Sequence, residues 1–234
     1  MILYVNGDSH AAAAEAVNVY AFAEDDPAYF FLGRGPHPDN LAVSWAQQLS
    51  RTLNATLHLD AESASSNARI IRTTRAWLAK QANAVQDMLI VIQWSTWERE
   101  EWEYNGVIYQ VNASGIDHVP AEAQERYRHF IVSLDWKQKT QQAHDEIWAF
   151  HQELKKQGIR HIFVNGNTDF SKITEKKKWE TDYIDPYDPA QTYDAIVRAK
   201  GIETVAPNSY HFGKDGHCIF YRFMLQYIIA NKYI

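Results

Sequence analysis

Cysteine is almost missing from this chain: Cys218 is the only one in 234 residues. No disulfide can form within the chain, and no cysteine-based metal site exists. That usage suits a reducing compartment, so a cytoplasmic protein is expected. No apolar run approaches the roughly 20 residues that span a bilayer. The N-terminus also lacks the basic stretch before an apolar core that marks a secretory leader. A membrane partner is therefore not expected. Excess positive charge is lacking too, because the net charge is -6 with Lys and Arg scattered along the chain. Such a balance argues against a nucleic-acid partner. The one basic cluster, Lys176 to Lys178, sits among Glu175, Glu180 and Asp182 and reads as a solvated loop. There is no internal repeat and no low-complexity tract.

What is present is ordinary globular material, 46% hydrophobic and 22% charged. A chain of 234 residues can bury a full core. Residues 1–234 read as one domain with an insertion at about 95–135. The segment Met1 to His10 runs a short apolar strand into a Gly-Asp-Ser turn. Ala11 to Ala16 is a strong helix-forming run and predicts a helix over 11–23. Asp25 to Ala28 and Gly33 to Pro38 read as loop. Helices are predicted over 40–53 and from 67 onward, where Ile70, Thr74, Trp77 and Leu78 align. Further helices are predicted over 121–134, 137–157, 191–200 and 214–231. Strands are predicted over 55–59, 88–94 and 159–164, with a short fifth near 203–205. The continuous apolar run Met88 to Trp94 suits a strand buried on both faces. Period-two alternation over 102–111 about Asn105-Gly106 predicts a hairpin. The fold class that follows is α/β: a three-layer α/β/α sandwich around a mostly parallel five-stranded sheet, with a hairpin-plus-helices insertion after the third strand.

In such sheets the working residues lie at the carboxyl ends of the strands. That rule collects Ser9, the Ser63–Asn67 loop, Ser95, Thr96 and Asn165 to Asn167 at one rim. Asp8 or Ser9 can serve simply as a helix cap. Ser9 can also serve as a nucleophile, given a base, and His211 in the loop before the last helix would reach the same rim. Gly7-Asp8-Ser9, Ser65-Ser66-Asn67 and Asn208-Ser-Tyr-His211 followed by Gly216-His217 resemble the sequence blocks of the GDSL/SGNH hydrolase superfamily. The resemblance implies a flavodoxin-like sandwich, no metal and no organic cofactor. It implies Ser9 as the nucleophile and as an oxyanion-hole N–H donor, and His211 as the base. It places Asn208 where the family has its orienting Asp. Ala64 or Ser65 stands at the second oxyanion N–H, and Ser95 or Thr96 stands where the family has an oxyanion Asn.

Asp8, Asn67, Trp97 and Arg99 are candidates for substrate contact. Trp97 would act as an aromatic platform and Arg99 as a fork for an anionic group, with Glu98 and Glu100 adding polar contacts. Trp94, Trp102, Tyr104 and Tyr109 read as hairpin packing, and His217 as a core histidine. The expected activity is serine-dependent hydrolysis of an ester, the substrate being a small molecule or an O-acyl carbohydrate. Replacement of the orienting Asp and the oxyanion Asn supports an alternative, a catalytically degenerate scaffold that binds a ligand or glycan or serves assembly. Gly7-Asp8-Ser9-His10 and Gly166-Asn167-Thr168-Asp169 faintly resemble metallophosphoesterase blocks. The dense ligand set that two-metal hydrolysis needs is missing from the sequence.

Overall fold

In the computed structural model, which describes residues 1–23, 33–81, 87–113, 115 and 119–234, strands and helices alternate. The first half contains β1 (Ile2–Asn6), α1 (Pro38–Val43), α2 (Trp45–Thr52), β2 (Thr56–Leu59), α3 (Asn67–Leu78) and β3 (Met88–Trp94). A hairpin of β4 (Glu100–Tyr104) and β5 (Val107–Val111) follows, then α4 (Gln124–Val132) and α5 (Trp136–Lys156). The chain closes with β6 (His161–Asn165), α6 (Tyr193–Arg198) and α7 (Lys214–Ala230).

The main sheet is parallel, in the order β2-β1-β3-β6. Side chains alternate between its faces. Leu3, Val5, Leu89, Val91, Ile162 and Val164 pack with Trp45, Leu49, Phe220 and Met224 on one side. Tyr4, Ile90, Ile92 and Phe163 pack with Ile70, Trp77, Phe150 and Leu154 on the other. This is the expected three-layer sandwich, and every residue of β3 is buried as its unbroken apolar run requires. Past β6 the chain returns to run beside the strand in the same direction at Tyr183. The Phe163 N–H donates to Asp182 O at 2.8 Å and the Ile184 N–H to Phe163 O at 2.9 Å, which covers an edge that would otherwise be open.

Two expectations fail. The residues predicted as helix 11–23 form turns, with Ala13 and Glu15 at φ of 57° and 62°. Ala11, Ala12, Ala13 and Ala14 are all buried, so the run has no solvent face. Small side chains let it thread the interior, and that packing overrides its helix propensity. The expected fifth strand near 203–205 is reduced to one bridge between Thr204 and Phe212, leaving four strands in the main sheet among the described residues. The helix predicted over 40–53 is divided at Ser44, whose side chain accepts from the Gln47 N–H and caps α2. The expected loop over Asp25 to Ala28 lies outside the described residues.

The insertion carries its own small core, in which Trp102 and Val111 of the hairpin pack on Tyr127 and Phe130 of α4. Asn105 and Gly106 turn the hairpin with φ of 50° and 76°, as a type I′ turn demands.

Gly7 is required for another reason. A Cβ there would lie 2.7 Å from Ala11 Cβ and 2.8 Å from Gln93 O, so only a bare backbone passes between β1 and the end of β3. Gly7→Ala is expected to lower stability by about 1–3 kcal/mol. It should appear in urea unfolding as a lower midpoint with unchanged slope.

Candidate functional site

The turn after β1 is held by its own polar side chains. The Asn6 amide donates to Thr73 Oγ1 at 2.8 Å and to Ile70 O at 3.1 Å, and its carbonyl accepts from the Gly7 N–H. Asp8 is buried, accepting from the His10 N–H at 3.0 Å, Ser95 Oγ at 3.0 Å and Arg99 Nη1 at 3.1 Å. Burial alone would raise its pKa. The charges of His10 and Arg99, with the two hydrogen bonds, outweigh that and hold it below the ordinary aspartate value. Ser9 follows directly, and its hydroxyl has no hydrogen-bond partner among the described residues.

Ser9 and His211 line one cavity of about 480 Å³. The carboxyl ends of the strands supply Ser9 after β1, Ala64 after β2, Thr96 after β3 and Asn167 after β6. His211 arrives from the loop before α7. Its Nδ1 lies 2.8 Å from Glu15 Oε2, which also accepts from Ser209 Oγ at 2.6 Å. A carboxylate only accepts here, so Nδ1 carries the proton and Nε2 presents a lone pair. The hydrogen bond from His211 holds Glu15 below its ordinary pKa against opposing burial, with Ser209 adding to it. Asn208 is exposed and makes no bond to His211. The His211 ring is thus bonded to Glu15 and not to Asn208. A sequence signal existed, since Glu15 is the lone charge in an alanine run. It was hidden by the helix assignment, which would have carried Glu15 away from the rim.

The other candidates divide. Ala64 lines the cavity at φ 67°, and neither its N–H nor that of Ser9 has a hydrogen-bond partner among the described residues. Thr96 Oγ1 is likewise buried without a partner on a cavity-lining residue. Ser65 does not serve, because its N–H and hydroxyl both donate to Glu62 O. Ser95 is fully buried with its hydroxyl on Asp8. Asn67 is spent on the Ser95 backbone, accepting its N–H at 2.9 Å and donating to its O at 3.3 Å. Asp8 is enclosed rather than open to a substrate. Trp97 stacks on Phe170 with centroids 4.6 Å apart and planes 5° from parallel, so it offers no platform to this cavity. Arg99 does line the cavity, though one arm of its guanidinium is on Asp8.

His10 was not singled out as a site residue. It lines the cavity with its ring 5.4 Å from that of His211, and its Nδ1 has no partner among the described residues. Burial lowers its pKa to about 4, so it is neutral at pH 7 and does not repel a charged His211. His217 is buried at the start of α7, where Nδ1 accepts from the Trp45 N–H at 3.4 Å. Among the described residues, one group has metal-ligand composition: His151, His161 and Asp182. His161 opens β6, at the opposite end of the strand from the rim. Its Nε2 is hydrogen-bonded to His151 Nδ1 at 2.8 Å.

No protein-family model and no curated protein matches this chain. Among solved structures it is similar to a protein from Desulfitobacterium hafniense DCB-2 designated lipolytic and of the G-D-S-L family. The identity is 12%, covering 97% of this chain and 99% of that one, with a TM-score of 0.47.

Burial of neutral imidazoles sets a pH dependence. His10 and His217 are lowered from 6.5 to about 4 and about 3. The unfolded chain therefore takes up protons below 6.5 that the folded chain refuses, and stability falls as pH drops from 6.5 toward 4. At about 1.4 kcal/mol per pKa unit, His10 alone contributes on the order of 3 kcal/mol over that window. Urea midpoints measured from pH 7 to pH 4 are expected to decline, and His10→Phe to decline less steeply than the parent.

Proposed function

We propose that this chain is a serine hydrolase acting on a small polar ester. The observation that carries the reading is that His211, paired with Glu15, and Ser9 line one cavity at the carboxyl ends of a parallel sheet. With Nδ1 donating to Glu15, His211 Nε2 accepts the Ser9 proton as Oγ attacks the ester carbonyl. Glu15 stabilises the imidazolium that forms, the role for which Asn208 lacks a charge. The N–H groups of Ser9 and Ala64 and the hydroxyl of Thr96 are the donors available to the carbonyl oxygen as it becomes an oxyanion. His211 then returns the proton to the leaving alkoxide, leaving an acyl group on Ser9. A water attacks that acyl group and gives its proton to His211. The acid is released, and Ser9 recovers its proton. Trp97 is stacked on Phe170 and gives no platform for a carbohydrate, the aromatic side chain on this cavity being Tyr210. The polar wall of Thr96, Glu98, Arg99 and Asn167 supports a small polar substrate instead.

A fluorophosphonate ester followed by intact mass provides the test. The parent is expected to gain one adduct, Ser9→Ala none, and His211→Ala one formed much more slowly. Glu15→Gln should lower kcat/KM on an activated ester by up to roughly 10⁴-fold, and Thr96→Val by about 10²–10³. Asn208→Ala should leave it unchanged. An adduct that survives Ser9→Ala, or an Asn208 effect larger than that of Glu15, would overturn the assignment.

A further inference from the structure

The ester mechanism leaves Glu98 and Arg99 of the cavity unused. Glu98 lines the cavity and is 7% exposed, and its Oε2 is buried with no hydrogen-bond partner among the described residues. It is the sole carboxylate with such an atom among the described residues. A buried acceptor without a donor calls for an explanation, and a carboxylate oxygen more than most, because its charge is costly to desolvate.

The surrounding charges narrow what can meet it. Three carboxylates, Asp8, Glu15 and Glu98, stand in or against the cavity, with Arg99 the one Lys or Arg lining it among the described residues. Asp8 holds Nη1 of that guanidinium at 3.1 Å and offsets its charge, while its Nε is buried without a partner among the described residues. Glu15 is held by hydrogen bonds from His211 and Ser209, and the His10 imidazole is neutral at pH 7. The charge left over is negative, and Glu98 is where it is unmatched. An anionic ester, which Arg99 alone would have favoured, meets net repulsion. A hydroxyl would fill the hydrogen bond and leave the charge. A quaternary cation would match the charge and leave Oε2 without a donor. A primary ammonium supplies both.

Resting on the hydrolase reading above, we propose that Glu98 determines specificity and that the ester this site accepts carries a primary ammonium group, received by the Glu98 carboxylate.

The test compares kcat/KM for esters matched in length that end in a primary ammonium, a methyl or a carboxylate, with the end group in the acyl or in the alcohol part. The parent should prefer ammonium over methyl in one of the two series, and carboxylate should be poorest. A hydrogen bond to a charged partner predicts a preference of roughly 10- to 100-fold. The readout is the ratio between esters, which a general loss of activity does not move. Glu98→Gln should collapse that ratio, Glu98→Asp retain it in part, and Glu98→Lys turn it toward the carboxylate. No ammonium preference in the parent in either series, or an undiminished one in Glu98→Gln, overturns the proposal. Butylammonium binding by calorimetry keeps the outcomes separable from the hydrolase reading. Binding to the parent but not to folded Glu98→Gln supports the ammonium site even if fluorophosphonate leaves Ser9 unlabelled. No binding to the parent overturns it.

Discussion

Asp8 is a charge taken out of water and fully engaged, and the arrangement of the rim follows from how it is satisfied. Its oxygens collect the His10 N–H, the Ser95 hydroxyl and Arg99, so they join the end of β1 to the end of β3 and to the base of the hairpin. Buried carboxylates of this kind are costly to leave unpaired, by about 3–5 kcal/mol when a partner is removed. That cost fixes the chain direction on both sides of Ser9. Gly7 must press bare backbone against Gln93, and Ser9 emerges on the far side of the turn. Asn67 completes the brace by holding the Ser95 backbone through both its amide atoms. Residues that look like substrate ligands in a sequence are here the frame that keeps the cavity open.

The alanine run has a related role. A regular helix after Ser9 would have carried Glu15 away along its axis. Instead the chain turns at Ala13 and Glu15 with positive φ, a conformation that costs free energy for residues with a Cβ. The surrounding packing imposes it, since the four alanines from Ala11 to Ala14 are buried. The outcome is a carboxylate returned to the rim, against His211.

Much of the architecture was legible in sequence because it depends on local periodicity. Met88 to Trp94 read as a doubly buried strand from its composition, and Asn105-Gly106 as a hairpin turn from the conformations those residues tolerate. The helix starting at Asn67 and the final helix were placed within a residue or so. What failed depended on distant packing. Propensity favoured a helix over 11–23, and no local signal reports that a segment of alanines is enclosed on every side. Of the site, Ser9, His211, Ala64, Thr96 and Arg99 fall on the cavity. Asp8, Asn67, Ser65, Ser95 and Trp97 are close by but turned to protein partners. Spacing identifies which loops meet, and it does not say which side chains in them are already satisfied. Glu15 was missed for that reason, since its partner is a histidine almost two hundred positions away.

Glu15 and Ser9 belong to one short segment after β1, whereas the imidazole they flank comes from the loop before the last helix. Synthesis proceeds from the N-terminus, so under the proposed mechanism the serine and its carboxylate are laid down long before the imidazole they need. His211 meets Glu15 only when the loop before α7 is in place, next to the Lys214 N–H that donates to Ala16 O. A chain ending before that loop would lack the imidazole and also Phe220, Met224 and Ile228, which cover one face of the sheet.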